Sequence, residues 1–365
     1  MHLREIQLLN FKNYNEAVIE LSSGVNCFTG LNGSGKTTVL DAVHYLSMCK
    51  SYFTASDVQN IKQGENFSVL IGEFIHRDTS DKIFCSIRKD QKKIFKRNNE
   101  EYEKLSDHIG LFPVIMIAPQ DHNLITEGSE IRRRFIDSII SQIDHDYLHN
   151  LITYNRFIVQ RNALLKQCAQ SGNADYGLFE YFDFKIGESG NVIYQKRKLF
   201  FDEFKIEFNK IYKFLTSGNE NPDLDYESHL RSGHLESQLK ANFGKDLDTN
   251  FTTTGIHKDD VVFRLNEMPV KKFASQGQQK TFVTALKLAH YEFMRQKKNL
   301  KPIVLLDDIY DKLDDERVSK LMQLVSEDEF GQLIITDTNA TRIKNIFENI
   351  NVELKTFEVD SGRLI

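Results

Sequence analysis

The fold class of this chain follows from one short stretch, residues 30–37, which reads Gly30-Leu31-Asn32-Gly33-Ser34-Gly35-Lys36-Thr37. It fits G-x-x-x-x-G-K-[ST], a glycine-rich loop whose backbone N–H groups surround phosphate oxygens. An apolar run at residues 24–29 precedes it, and a helical pattern of apolar residues follows it. This is the strand–loop–helix context that the motif requires, so the sequence predicts an α/β domain with a nucleotide phosphate site.

The side chains of this loop have separate predicted roles. Lys36 contacts the β- and γ-phosphates and takes part in catalysis. The Thr37 hydroxyl is a ligand of Mg²⁺, a hard cation that prefers oxygen. The residues of this stretch that are predicted to bind the nucleotide are Gly30, Leu31, Asn32, Gly33, Ser34, Gly35, Lys36, Thr37 and Thr38.

A second motif lies near the end of the chain, where the apolar strand Ile303–Leu306 runs into two carboxylates. Open α/β sheets bind ligands at the carboxyl ends of their strands. We therefore expect Asp307 to hold Mg²⁺ through water and Asp308 to polarise the attacking water as a general base. Acidic residues often follow strands, so it is the preceding phosphate loop that makes this second signal specific.

A third motif, Ser275-Gln-Gly277, opens a long predicted helix. Ser275 is a good N-cap, which is its purely structural explanation. The functional interpretation is that this helix end offers N–H groups and a hydroxyl to a γ-phosphate. A helix of roughly 20 residues spans about 30 Å, which separates this end from the chain's own phosphate loop. The phosphate is therefore expected to be bound by another subunit.

Length and composition set the broad class. The chain has 365 residues, 40% hydrophobic and 27% charged, with a net charge of −5, which is typical of an ordinary globular protein. No run approaches the ~18 apolar residues of a membrane span, and the start has no signal-peptide pattern. The four cysteines lie far apart and form no CxxC pair, so a reducing cytoplasm is the expected location.

The middle of the chain changes character, with apolar and aromatic residues at helical spacing from 144 to 217. We predict a helical hairpin there, whose aromatic stripe is explained by plain helix packing. Gly187 and Gly190 predict a kink or break in its second helix. The predicted organisation is an α/β domain split into 1–143 and 218–365, with 144–217 as an inserted helical arm.

A basic segment at 88–97 is the main candidate for nucleic-acid binding, with only Asp90 opposing its charge. Such a β-hairpin can follow phosphates without reading bases, and a solvated strand face is the alternative explanation. Its cations are Arg88, Lys89, Lys92, Lys93, Lys96 and Arg97. Secondary candidates are Arg132, Arg133 and Arg134, which could instead pair with nearby carboxylates, and the run Lys196, Arg197 and Lys198.

The chain resembles the RecF family of SMC-like ABC-type ATPases. Beside the three motifs, the resemblance rests on residues 8–14, 118–121, 132–137, 160–166, 254–260 and 313–314, which cover the whole length. It implies an ABC-type ATPase head with a mixed sheet and an inserted helical arm.

The resemblance also implies a function in bacterial recombinational repair. Members bind ATP, dimerise head to tail through it, engage DNA at single-strand gaps, and work with RecO and RecR to load recombinase. Turnover is slow, so ATP acts mainly as a switch. Carried over, Lys36, Thr37 and Asp307 bind nucleotide and metal, while Ser275 and Gly277 act across the dimer. Gln120 stands where the family has an acidic residue and is the candidate for a Q-loop glutamine, and Asp314 belongs to the D-loop.

Three positions depart from related patterns. The family usually has proline in place of Ile256 and arginine in place of Lys258, and Ile335-Thr-Asp337 carries no switch histidine. Two other functions therefore stay open: a nucleotide-gated adaptor that does not hydrolyse ATP, and an ABC transporter ATPase subunit. A small-molecule kinase would leave the Ser275 helix without a purpose.

Overall fold

The computed structural model describes residues 1–173, 175–216, 218, 220–308, 330–339, 341–342, 347 and 352–365. The predicted D-loop residue Asp314 lies outside the described residues. The strands are β1 (His2–Leu9), β2 (Glu16–Glu20), β3 (Val25–Thr29), β4 (Phe67–His76), β5 (Thr79–Arg88), β6 (Ile94–Arg97), β7 (Glu100–Glu101), β8 (Val114–Ile117), β9 (Pro222–Glu227), β10 (Asp260–Leu265), β11 (Met268–Pro269), β12 (Ile303–Leu306), β13 (Leu333–Asp337), β14 (Leu354–Asp360) and β15 (Arg363–Leu364). The helices are α1 (Lys36–Met48), α2 (Asn123–Thr126), α3 (Ser129–Ile143), α4 (His145–Ser171), α5 (Tyr176–Thr216), α6 (Leu235–Ala241), α7 (Phe243–Thr249), α8 (Val270–Phe273) and α9 (Gln276–Lys298).

The chain divides into two compact units. The first comprises Met1–Asp121 and Leu286–Ile365, and the second comprises His122–Ala285. The second unit contains both helices of the predicted hairpin, together with the strands and short helices that follow them. The boundaries of a separate arm at 144–217 remain a prediction.

The first unit contains two sheets with α1 between them. One sheet is antiparallel, in the order β2-β1-β4-β5-β6-β7, and the other has the order β15-β14-β3-β13-β12-β8. In the second sheet β14, β3, β13, β12 and β8 run parallel, and β15 adds an antiparallel edge. Every residue of β3 and β12 is buried, as expected for parallel strands covered on both faces.

Helix α1 is buried on nearly every side because it contacts strands of both sheets, β4 and β5 in one and β8 and β13 in the other. Its sequence is apolar on more than one face, which suits a helix without a solvent side. The structure has the mixed α/β architecture with inserted helices that the sequence predicts.

In the second unit α4 and α5 pack against each other, and α5 also contacts α6 and β9. The stripe of phenylalanines on α5 faces inward, and Phe204 and Phe208 are fully buried. The explanation of this stripe as helix packing is therefore confirmed. Among the helices that the structure describes, none is both long and apolar enough to cross a membrane.

Helix α5 has no break at Gly187 and Gly190, because it is continuous from Tyr176 to Thr216, and a kink there remains a prediction. The two glycines allow close packing. A Cβ on Gly190 would lie 2.5 Å from Leu235 Cδ2, and one on Gly187 would lie 3.1 Å from the Cβ of Glu236. Both neighbours belong to the first turn of α6, so the missing side chains let α6 approach the backbone of α5.

Candidate functional site

The glycine-rich loop connects β3 to α1, at the carboxyl end of the parallel sheet. Gly30 and Gly35 have positive φ angles of 148° and 116°. A Cβ would lie 2.2 Å from the carbonyl oxygen of Val359 at Gly30, and 2.4 Å from Asn13 Nδ2 at Gly35. Only glycine fits both the conformation and the space, so the backbone turns tightly enough to direct its N–H groups inward.

Two side chains inside the loop suit an anionic ligand. Lys36 is 4% exposed, and its Nζ donates to the carbonyl oxygens of Gly30 at 2.8 Å and Leu31 at 3.0 Å. The Oγ of Ser34 is buried and has no hydrogen-bond partner in the part of the chain that the structure describes. A cation held on neutral carbonyls beside an unsatisfied hydroxyl fits the phosphate groups of a nucleotide.

The predicted metal ligands meet directly. Thr37 Oγ1 donates to Asp307 Oδ1 at 2.8 Å, and Thr336 Oγ1 donates to the same oxygen at 2.9 Å. Burial raises the pKa of Asp307, against the two hydroxyl hydrogen bonds and the charge of Lys36, which lower it. A hydroxyl and a carboxylate oxygen in contact form a donor set that suits Mg²⁺.

Thr336 was not found from the sequence. It comes 29 residues after Asp307 along the chain, and the parallel pairing of β12 with β13 brings the two together. Its hydroxyl also accepts from the backbone N–H of Asp308 at 2.9 Å. The available signal was its position near the end of an apolar strand, the same signal that identified Asp307.

Asp308 and Gln120 lie at the same edge of the sheet. Asp308 follows β12, is half-buried and has a φ of +46°, a left-handed conformation that Asp and Asn tolerate better than most residues. Gln120 lies in the turn Pro119–His122 after β8, the strand that pairs with β12 on its other side. Their catalytic roles remain predictions.

A buried ion pair fixes the turn that carries Gln120. Lys287 Nζ lies 2.6 Å from Asp121 Oδ1, and both side chains are about 5% exposed. Asp121 Oδ2 also accepts from the N–H of Ala118 at 2.7 Å, and the Tyr52 hydroxyl donates to the same carboxylate. Sequence reasoning missed Lys287, because a lysine inside a long helix is more often exposed.

The end of the chain braces the loop from outside. The carbonyl of Ser34 accepts from the N–H of Gly362 at 2.7 Å and from Asn13 Nδ2 at 3.1 Å. Thr38 Oγ1 donates to Asn13 Oδ1 at 2.8 Å, so Asn13 joins the loop to the start of α1. Asn13 belongs to the stretch 8–14 that carries the family resemblance, but the sequence did not show this contact.

The third motif lies in the second unit. Ser275 Oγ accepts from the N–H of Gln278 at 3.2 Å, and Gln278 Oε1 accepts from the N–H of Ser275 at 2.7 Å. This reciprocal pair is a capping box, so the structural explanation of Ser275 as an N-cap is confirmed. Ser275 and Gly277 are both exposed at the start of α9. Their action across a dimer remains a prediction.

The basic segment forms the predicted hairpin, since β5 and β6 pair antiparallel on either side of residues 89–93. Apart from the half-buried Lys96, its cations divide into two groups. Arg88, Lys89 and Lys92 are exposed, whereas Lys93 Nζ lies 3.0 Å from Asp57 and Arg97 Nε lies 2.7 Å from Asp81. DNA contact is thus available to the first group without breaking an ion pair, and it stays a prediction for all six.

Arg132, Arg133 and Arg197 are engaged within the second unit. Arg132 makes a two-bond ion pair with Asp260 at 2.8 and 2.9 Å, and Arg133 donates to the carbonyl of Asp259. A phosphate would have to compete with these partners, and DNA contact by Arg132 and Arg133 remains a prediction. For Arg197 the prediction is wrong, because it is 2% exposed and its charge is taken up by Asp137 and Asp259.

Comparisons with known proteins agree on one family. The model of the RecF/RecN/SMC N-terminal domain matches residues 2–361. The chain is 46% identical to the DNA replication and repair protein RecF of Flavobacterium johnsoniae, covering 98% of this chain and 100% of that protein. It is 42% identical to the RecF of Bacteroides thetaiotaomicron, covering 99% and 98% respectively.

Solved structures give the same result. The structure of "the recombination mediator protein RecF-ATP in RecFOR pathway" superposes with a TM-score of 0.90 at 27% identity, covering 100% of this chain and 97% of that one. An Smc head bound to the C-winged helix domain of ScpA superposes with a TM-score of 0.55 at 15% identity, over 100% of this chain and 97% of that one, which shows a shared fold.

Proposed function

We propose, from the premise that this chain belongs to the RecF family, that it is an ATP-dependent DNA-binding protein of replication and recombinational repair. ATP drives a head-to-tail dimer, the dimer holds DNA at single-strand gaps, and the complex helps to load recombinase together with RecO- and RecR-type partners. The observation that carries the proposal is the contact between Thr37 and Asp307 at the mouth of the glycine loop.

Nucleotide binding is assigned to the loop and the edge beside it. The N–H groups of the loop and the ammonium of Lys36 hold the phosphates, with the buried Ser34 hydroxyl as a further donor. Thr37 and Asp307 hold Mg²⁺, which supplies positive charge to the β- and γ-phosphates when it is bound. The ATP-bound RecF structure with the same fold supports this assignment.

Dimerisation is assigned to the start of α9. Its first residues are exposed, and the helix is 23 residues long, which is about 34 Å at 1.5 Å per residue. Ser275 offers its hydroxyl, and Gly277 its backbone N–H, to the γ-phosphate on a second copy. Because only ATP carries that phosphate, the dimer depends on which nucleotide is bound.

DNA binding is assigned first to the exposed cations Arg88, Lys89 and Lys92 at the turn between β5 and β6. Three cations on a short turn contact phosphates rather than base edges, so binding is largely independent of sequence. It should weaken steeply with salt. If the affinity for DNA does not change with salt concentration, this assignment is wrong.

Hydrolysis is assigned to Asp308 as general base, with Gln120 placing the attacking water. Asp308 is one methylene shorter than the glutamate of most ABC ATPases, and residues 335–337 include no histidine. Hydrolysis of ATP is therefore slow, and it returns the dimer to monomers. The alternative is an adaptor that does not hydrolyse ATP. Asp308→Asn separates the two: it traps the dimer on DNA if hydrolysis releases it, and has no effect on an adaptor.

The test is fluorescence anisotropy on a gapped duplex, with mass photometry of the same samples. No nucleotide, ADP and ATP are compared for the wild type, Lys36→Ala and Ser275→Arg, with Ser232→Arg as a matched exposed-serine control in the second unit. The proposal expects a DNA-bound dimer with ATP alone, lost in the first two variants and kept in the control. Equal DNA binding by a monomer without ATP would overturn it.

A further inference from the structure

The outward side of α5 exposes apolar side chains in a line. Val192, Leu199 and Ile206 are 37%, 63% and 66% exposed, while the opposite face of the helix is buried in the second unit. They are seven residues apart, so each is displaced from the last by only about 20° around the helix. The exposed face of a globular protein's helix is ordinarily polar, and apolar residues at every seventh position match one of the two apolar positions of a helix-pairing heptad.

Two charged residues extend this line symmetrically. Glu188 and Lys210 are both exposed, and each lies 11 residues from Leu199, on opposite sides. Eleven residues make about three helical turns, so both charges fall on the same side of the helix as Leu199. We call these five residues the outer stripe: Glu188, Val192, Leu199, Ile206 and Lys210.

The outer stripe is complementary to itself when reversed. An antiparallel copy centred on Leu199 places Glu188 opposite Lys210, Val192 opposite Ile206, and Leu199 opposite its own equivalent. This is the pattern of an isologous interface, in which residue i meets residue j and j meets i across a two-fold axis. Glu188 also lies 3.0 Å from Lys185 in its own helix, and a carboxylate can accept from both lysines.

We propose that the outer stripe of α5 pairs antiparallel with the outer stripe of a second copy of this chain. The charge complementarity selects a second copy as the occupant, since the order Glu, Val, Leu, Ile, Lys fits its own reverse. The paired length from 188 to 210 is about 33 Å. Three apolar side chains per copy make a small seam, so the contact is weak by itself, in the micromolar range.

This contact differs from the ATP-dependent dimer. None of the outer stripe belongs to the glycine loop, to the Asp307 edge or to the start of α9, so it needs no nucleotide. A chain with two different two-fold contacts can join one dimer to the next. The outer stripe would then let protein already on DNA recruit further copies.

The test is sedimentation velocity of the full chain without nucleotide, from about 1 to 100 µM. The wild type is expected to pass from monomer to dimer in this range. Leu199→Glu places two carboxylates at the two-fold axis and should weaken the dimer at least tenfold, roughly the loss expected at the centre of an interface. Lys245→Glu, an exposed lysine on α7, is the control and should sediment like the wild type.

Exchanging the charges at Glu188 and Lys210 provides the decisive measurement. Glu188→Lys alone and Lys210→Glu alone should each weaken the dimer about three- to tenfold, because both opposite pairs become like-charged. An equimolar mixture of the two variants should dimerise more tightly than either alone, since both pairs then have opposite charges. Misfolded variants cannot produce such a rescue.

Three outcomes of these measurements would overturn the proposal, and a binding assay with other proteins adds a fourth. They are a wild type that stays monomeric at 100 µM, a Leu199→Glu variant that dimerises like the wild type, and a mixture no tighter than its components. A stripe variant that loses binding to RecO- or RecR-type proteins while the wild type remains a monomer would assign the stripe to a different partner and overturn it as well.

Discussion

Each unit buries a cation almost completely, and the two surroundings differ. In the first unit, Lys36 is 4% exposed and donates to two neutral backbone carbonyls beside an unpartnered Ser34 hydroxyl. In the second unit, Arg161 is fully buried and lies 2.6 Å from both Asp183 and Asp246. Arg161 therefore has the protein's own carboxylates as partners, whereas Lys36 has only uncharged acceptors.

This difference separates a structural charge from a ligand-binding charge. A buried cation costs free energy unless an anion compensates it. Arg161 has its anions from Asp183 on α5 and Asp246 on α7, so it joins α4 to both helices. Lys36 is left for an anion from solution. The first two of the four predictions below test this contrast, and the other two test a buried neutral histidine and a close contact between two helices.

Arg161→Met should lower the free energy of unfolding by about 3–5 kcal/mol, because it leaves two buried carboxylates without their counter-charge. Chemical denaturation measures this. Arg134→Met is the control, since Arg134 and its partner Glu130 are mostly exposed, and it should change stability by less than about 0.5 kcal/mol. If Arg161→Met changes the free energy of unfolding only slightly, Arg161 is not a structural charge.

Lys36→Ala should weaken ATP binding by about 1.5–3 kcal/mol, the value of a hydrogen bond to a charged group, with little change in stability. Isothermal titration with ATP measures the affinity, and denaturation of the same protein measures the stability. Unchanged affinity together with a large loss of stability would make Lys36 a structural cation like Arg161.

Acidification should destabilise the protein through His257. Burial lowers the pKa of His257 to about 4 from its ordinary 6.5. Its ring is held as the neutral form, with Nε2 assigned as donor to the Thr252 carbonyl and Nδ1 accepting from Tyr154. The unfolded chain therefore binds the proton more tightly, and stability present above pH 6.5 is lost as the pH falls toward 4.

The expected slope is about 1.4 kcal/mol per pH unit for this histidine within that window. His257→Gln should remove that share of the pH dependence, as measured by denaturation at several pH values. An unchanged slope would mean that His257 titrates normally. The buried His108, whose pKa is lowered by burial to about 4, gives the matching test in the first unit.

Gly190→Ala should destabilise by about 1 kcal/mol or slightly more, because its Cβ would lie 2.5 Å from Leu235, and this outweighs the gain in helix propensity. Gly177→Ala, near the start of the same helix, meets nothing closer than 3.6 Å and should stabilise by about 0.5–1 kcal/mol. Opposite signs in thermal melts are the expected result. Stabilisation by both would show that α6 can move away.

The sequence was most informative where the signal is local. The glycine loop and the strand that ends at Asp307 each lie within a few consecutive residues, and the structure brings Thr37 and Asp307 into contact as expected. Thr336 and Asn13 were missed because their contacts depend on strand pairing and on a turn from elsewhere in the chain. A single sequence does not show such distant neighbours.

The errors have a similar cause. Gly187 and Gly190 suggested a kink or break because glycine is a poor helix former by itself, yet α5 continues through both, since packing against α6 outweighs that cost. Arg197 suggested a DNA contact because it lies between two lysines, yet its side chain points inward to Asp259. In both cases tertiary contacts overrode what the neighbouring residues indicate.

The contacts that hold the glycine loop in place also affect when, during synthesis on the ribosome, the nucleotide site can form. Strand β3 leads into the loop, and its two sheet neighbours, β13 and β14, come more than 300 residues later in the chain. At about 5–20 residues per second, the ribosome needs roughly 15–60 s to supply them. Until then β3 has both edges unpaired and the Ser34 carbonyl lacks Gly362, so a nascent chain cannot bind ATP in its finished geometry. The nucleotide site is among the first parts translated and among the last to be completed.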